Sequence, residues 1–167
     1  MHLRPAQPGD RDAIMALIDS VLREYGDQLF IEGADADLLD IDAHYKHQGG
    51  HFVVLDDGGR IRGTHALRPL QGRPGICNVY RLYLDPDLRG GEWGEHLMQW
   101  AIDTAREHGF HRIEFWSDTR FTRAHAFFKR LGFRRDGRTR DMDDGAFPYR
   151  EYFYFMDAPF PDFSQCP

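Results

Sequence analysis

Tyr80-Arg-Leu-Tyr-Leu-Asp-Pro-Asp-Leu-Arg-Gly-Gly-Glu-Trp-Gly-Glu-His-Leu-Met98 reads as a strand, a break, a glycine turn and a helix. The apolar run stops at Asp85-Pro86, and an amphipathic helix opens at about Trp93. A strand that passes through glycines into a helix N-terminus makes an anion cradle. Unpaired backbone N–H groups and the positive end of the helix dipole converge there. Gly90, Gly91 and Gly94 let a phosphate approach the main chain without meeting a Cβ, and Arg89 offers a charge-assisted partner. Many cofactor folds contain such a loop, so its meaning depends on what surrounds it.

Downstream, Arg112-Ile-Glu-Phe-Trp116 is a second strand, followed by Ser117-Asp-Thr and a helix from about Thr122 to Leu131. Gly132 and Phe133 then read as a glycine cap with its apolar contact. Upstream, His2-Leu-Arg-Pro5 is a short strand and Asp10 an N-cap. Ile14, Leu17, Ile18, Val21 and Leu22 recur at helical spacing over 11–25, and a more polar helix is expected over 35–45. Asp57-Gly58-Gly59 joins two strands as a hairpin, and Ile76 to Leu84 is the strand that enters the glycine loop. That hairpin breaks strict βα alternation and weighs against a plain Rossmann fold. Two final strands, at about 133–140 and 149–156, complete the order. The expected class is α/β, a mixed and mostly antiparallel central sheet with helices on both faces. It forms one domain over residues 1–157, with a tail at 158–167 that is expected to be loosely held.

Together the loop and the later helix resemble the GNAT family of acyl-CoA-dependent N-acyltransferases. The family loop has the form Arg/Gln-x-x-Gly-x-Gly/Ala. Arg89 matches its first position and Gly94 its last, while Glu92 stands where the middle glycine is expected. The family helix reads Ala-x-x-Phe-Tyr-x-x-x-Gly-Phe. Ala124, Phe127, Gly132 and Phe133 match it, and Phe128 replaces the tyrosine. The likeness is sharp over about 80–133. It implies acetyl-CoA as co-substrate, its pyrophosphate held by Arg89, Gly90, Gly91, Glu92, Trp93 and Gly94. It also implies that the pantetheine arm lies beside Leu82, Tyr83 and Leu84, with Ser117, Phe127 and Phe128 nearby. An N–H near Leu82 would face the thioester oxygen, as in an oxyanion hole.

The same resemblance places a glutamate where this chain has Asn78, which cannot act as a base. Glu24, Glu114 and Asp118 are the replacement candidates. Phe128 cannot protonate a departing thiolate, and His125, three residues earlier, is the candidate for that or for a substrate contact. The alternative for His125 is a hydrogen bond to the Asp118 turn. Tyr25, Asn78, Tyr80 and Tyr152 are candidate acceptor contacts. Spacing on the strand puts Tyr80 and Tyr83 on opposite faces.

Composition bounds the possibilities. With 167 residues, 41% hydrophobic and 29% charged, the chain can bury one core. No run approaches the roughly 20 apolar residues of a membrane helix, and no signal-peptide pattern opens the chain. Two cysteines make no disulfide framework, so a cytoplasmic setting is the expectation. A net charge of −6 argues against nucleic acid as principal partner. Nine histidines without HExxH or Cys/His ligand spacing give no reason to expect a metal. Acetylation of a primary amine, of a small molecule in preference to a protein, is the leading reading. Its rivals are an acyl-CoA-binding module without turnover, serving as sensor or regulatory partner, and an enzyme with another acyl donor or an O-acyl acceptor. The aromatic last strands could supply a homodimer interface.

Overall fold

Ile14, Leu17, Ile18, Val21 and Leu22, the apolar face of α1 (Arg11–Arg23), are all buried against the sheet. Each contributes roughly 1.5–3 kcal/mol by leaving water. The structure, a computed structural model, describes residues 1–163. Its other elements are β1 (His2–Pro5), α2 (Ile41–His44), β2 (His51–Asp57), β3 (Arg60–Pro69), β4 (Ile76–Leu84), α3 (Trp93–Glu107), β5 (Arg112–Asp118), α4 (Thr122–Arg130), β6 (Thr139–Met142) and β7 (Tyr149–Asp157). One seven-stranded sheet has the order β1-β2-β3-β4-β5-β7-β6. Every pairing is antiparallel except β4 with β5, which α3 connects as a crossover.

Several local expectations fail. The helix over 35–45 is broken into a 3-10 turn at Ala36–Leu39 and the single helical turn of α2. Asp40, at φ −144° and ψ 84°, interrupts it, and its side chain accepts from Ala43 N–H to start α2. The strand at 133–140 shrinks to one bridge at Arg134 and the short β6, because Gly137 turns at φ +89°. Asp10 does not cap α1 with its side chain. It accepts instead from Gln7 N–H at 2.8 Å and from Arg4 at 2.7 and 2.9 Å. Residues 158–163 are not loose. Phe160 and Phe163 pack on the core, and Phe163 N–H donates to Gln99 Oε1 at 2.6 Å. Cys166 lies outside the described residues.

The sheet separates two apolar clusters. Under α3 and α4 lie Met98, Ile102, Ile113, Phe115, Phe128 and Tyr154. Under α1 lie Phe52, Val54, Ile61, Ala66 and Tyr45. Between them β4 carries a β-bulge. The register passes from Thr64↔Tyr83 to Ala66↔Tyr80, so Arg81 and Leu82 together oppose His65. Arg81 takes the left-handed φ of +56°. Two carbonyls of the bulge are met by β3 side chains. Thr64 Oγ1 donates to Arg81 O at 2.7 Å, and His65 Nδ1 lies 3.0 Å from Tyr80 O. The extra residue resets the alternation, so Tyr80 and Tyr83 both join the α1 face while Leu82 faces α3. The expectation of opposite faces is thereby corrected.

His65 is fully buried, and its Nε2 has no partner among the described residues. Burial lowers its pKa from 6.5 to about 4, against a smaller upward pull from the Tyr80 carbonyl. Between those values the unfolded chain binds a proton that the folded chain does not. Stability is therefore whole above the upper value and falls as the pH drops through the window. The loss by about pH 4 is roughly 3 kcal/mol. Urea midpoints should fall less steeply with decreasing pH in His65→Gln than in the unsubstituted protein. Parallel slopes would show that the imidazole is not held neutral.

Candidate active site

β4 and β5 bond only where Ile76, Cys77 and Asn78 meet Arg112, Ile113 and Glu114, and then part. The β4 bulge at Arg81 and Leu82 lies just beyond this point. A cavity of about 560 Å³ fills the split and reaches both faces of the sheet. On the α3 and α4 side it is lined by Leu82, Met98, Phe115, Ala124 and Phe128. On the α1 side Asn78, Tyr80, Tyr83, Asp118 and Glu151 line it. Its roof joins two segments. Ala34 N–H donates to Asp144 O at 2.8 Å, and a Cβ on Gly33 would stand 2.1 Å from that same oxygen.

The glycine loop ends in an open helix start. The first turn of α3 leaves the amides of Trp93, Gly94 and Glu95 without intrahelical acceptors, and His96 N–H is bonded to Glu92 O at 2.9 Å. Gly90 turns at φ +81°. Glu92 is exposed. Gly94 sits against the Phe127 ring, 3.4 Å from where its own Cβ would be. These amides fit an anionic diphosphate. The Arg89 side chain is turned elsewhere. Its Nη1 and Nη2 each donate to a Glu24 oxygen at 2.7 Å, and its Nε donates to Leu84 O at 3.0 Å.

The same pair occupies both oxygens of Glu24, a candidate base. Arg89 holds the Glu24 carboxyl below the usual carboxylate range, the wrong direction for taking a proton near neutrality. His125 is not in the cavity lining. Its Nε2 lies 2.9 Å from Asp118 O and 3.4 Å from Ser117 Oγ, with the ring edge-on to Tyr152. Burial lowers its pKa. Asp118 and Ser117 do line the cavity, but Asp118 is clasped by Arg120 Nε at 3.0 and 3.1 Å. Glu114 is buried and bound by Arg73 and Arg112. Tyr152 lies on the α4 side, its ring centroid 3.5 Å from the Arg135 guanidinium, on the face of the sheet opposite Asp118 and Glu151. Tyr25 stacks edge-on against Phe121 and reaches the cavity only through it.

Glu151 is a cavity carboxylate that the motifs do not reveal. It opposes Asp118 in the β5–β7 register and lines the cavity. Burial raises its pKa, against an opposing pull from Arg140. Strand alternation in Tyr149-Arg-Glu-Tyr-Phe-Tyr is the available signal, since it puts Glu151 on one face with Tyr149. Asn78 Nδ2 donates to Tyr80 OH at 3.2 Å, while Asn78 Oδ1 is buried without a partner among the described residues. Among those residues no cluster of three or more potential metal ligands occurs, and no helix is long and apolar enough to cross a membrane.

Residues 15–133 match the family model described as the acetyltransferase (GNAT) family. The chain is 31% identical over 138 residues to an aminoalkylphosphonate N-acetyltransferase of Salmonella typhimurium, with 80% of this chain and 85% of that protein covered. It is 29% identical over 155 residues to a mycothiol acetyltransferase of Pseudarthrobacter chlorophenolicus, covering 90% of this chain but only 46% of that longer protein. In fold it resembles a GNAT-family acetyltransferase of Staphylococcus aureus Mu50, with a TM-score of 0.79 at 22% identity over 93% of this chain and 98% of that one. It also resembles yncA of Salmonella typhimurium, a structure solved with its cofactor acetyl-CoA, with a TM-score of 0.71 at 18% identity over 97% and 98%. The split sheet, the open helix start and these matches lead to one conclusion: the chain belongs to the acetyltransferase (GNAT) family.

Proposed function

We propose that the protein transfers an acetyl group from acetyl-CoA to the primary amine of a small molecule, by direct attack on the thioester. The observation that carries this reading is the continuous cavity through the parted β4 and β5, with Met98 of α3, a helix whose first amides are open, on one side and carboxylates on the other. The relative that acts on an aminoalkylphosphonate supports a small amine, and the neighbour solved with acetyl-CoA supports the donor.

In this reading the amides of Trp93, Gly94 and Glu95 hold the diphosphate. The apolar wall of Leu82, Met98 and Phe128 seats the arm. The acceptor enters from the α1 face. An ammonium has no lone pair, so a base must first free it, and Glu151 takes that proton directly or through water. The amine nitrogen then bonds to the acyl carbon, and the electron pair of the carbonyl moves onto oxygen, facing a β4 N–H near Leu82. Collapse breaks the C–S bond with its electron pair leaving on sulfur, and the extra proton on the nitrogen passes to that thiolate or to water. Phe128 offers no proton, but a thiol of pKa about 8.5 is a tolerable leaving group unaided.

Calorimetry with acetyl-CoA, paired with thiol release over a panel of amines, tests the proposal. Binding and one thiol per acetylated amine are expected. No heat from either coenzyme A or its acetyl ester at millimolar levels would overturn it. Binding without turnover on any amine would favour the sensor module, to which Asn78 and Phe128 lend weight by replacing two residues usual in the family.

A further inference from the structure

Six of the charged side chains that line the cavity are already answered by an opposite charge. Asp27 and Asp118 share Arg120, Asp35 pairs with Arg81, and Glu151 pairs with Arg140. Two lining charges differ. Arg68 and Asp144 meet no oppositely charged side chain among the described residues. Both are half-buried, so solvent covers them in the empty cavity and a ligand that enters meets each as a charge still open to pairing.

Arg68 is held ready for such a partner. Its guanidinium lies 4.7 Å from the centroid of the Tyr80 ring and 5.6 Å from that of Tyr45. Nη1 donates to His44 O at 3.0 Å and reaches Gln48 Oε1 at 3.5 Å. Nε and Nη2 have no acceptor among the described residues, which leaves one edge of the fork for a ligand. The Tyr80 hydroxyl, which accepts from Asn78, still has its own proton to donate. Asn78 is the direct register partner of Arg68, and its buried Oδ1 lacks a donor among the described residues. Asp144 sits in the opposite roof segment, where its carboxylate accepts from the Tyr149 hydroxyl at 2.9 Å.

We infer that the acceptor is an amine that also carries an anionic group, with Arg68 and the Tyr80 hydroxyl gripping the anion and Asp144 facing the ammonium. This rests on the acetyl-transfer reading for the identity of the amine, but the anion site stands on its own geometry. Carboxylate, sulfonate and phosphonate share the required chemistry, oxygens spaced for a guanidinium fork.

β-Alanine, taurine and 2-aminoethylphosphonate, each compared with propylamine, separate these anions from one another and from a neutral amine. At least one of the three should be acetylated more than 10-fold better than propylamine. Arg68→Gln should raise KM for that acceptor by about 10- to 100-fold, with kcat and the propylamine rate unchanged. Arg68→Lys should recover part of the loss, and equal melting temperatures would show that both variants fold. Propylamine used as well as every anionic amine, or an Arg68→Gln loss shared by all acceptors, would overturn the inference. Calorimetric titration of the same three acids into protein saturated with coenzyme A reads the anion site without turnover. Heat that disappears in Arg68→Gln supports the site even if no amine is acetylated. No heat from any acid rejects it, whatever becomes of the transfer reaction.

Discussion

Glu151→Gln is expected to lower kcat by about 10²- to 10⁴-fold, the usual span for loss of a general base. Glutamine keeps the size of the side chain and an oxygen for Arg140, so the loss isolates the proton-accepting role. The carboxylate is 13% exposed, and its burial favours the neutral acid. A base works only when ionised. The rate in the parent protein should therefore rise with pH through an ionisation above the usual carboxylate range. That limb should vanish in the variant, while any limb belonging to the amine itself persists. Affinity for acetyl-CoA should not change, because the coenzyme reading places that molecule on the other side of the split. A pH–rate profile of kcat/KM for both proteins checks each point, and an unaltered kcat would remove Glu151 from the chemistry.

Arg81→Met is expected to destabilise the fold by about 3–5 kcal/mol, the range for breaking a buried ion pair on one side only. Arg81 is 12% exposed at the bulge, and its Nη1 donates to Asp35 at 2.6 Å. It also grips Asp37 and donates to Ala34 O at 3.0 Å, and Tyr45 OH donates to Asp37 at 2.5 Å. Removing the cation strands two carboxylates that are 10% and 16% exposed. Replacing both carboxylates as well, with Asp35→Asn and Asp37→Asn, should return much of the loss, because uncompensated charge is its cause. Denaturant midpoints decide. A change below about 1 kcal/mol in Arg81→Met would show that the network is solvated, as surface pairs are.

Elements that rest on local pattern are legible in the residues themselves. The apolar stripe of α1, the Asp57-Gly58-Gly59 hairpin and the passage from β4 through glycines into α3 all depend on neighbours within a few residues. What is not legible there depends on distant partners. Arg89 reads as a phosphate ligand because Glu24, 65 positions away, is invisible in the motif. The helix over 35–45 breaks at Asp40, after a turn whose Asp35 and Asp37 are claimed by Arg81 of β4. Simple alternation separates Tyr80 from Tyr83, and one bulge residue reverses that. Glu151 lies within reach of the same alternation, but it becomes a cavity carboxylate only through its pairing opposite Asp118. Arg68 and Asp144 are ordinary surface-type residues until the pairing of their neighbours is known.

The division of the interior by the sheet has an evolutionary consequence. Side chains under α1 and those under α3 and α4 belong to separate apolar clusters. Away from the cavity that joins them, a substitution that reshapes the α1 half disturbs the other half mainly through shared backbone. On the acetyl-transfer reading, a lineage can therefore drift from one nitrogenous metabolite to another while the grip on its activated donor stays intact.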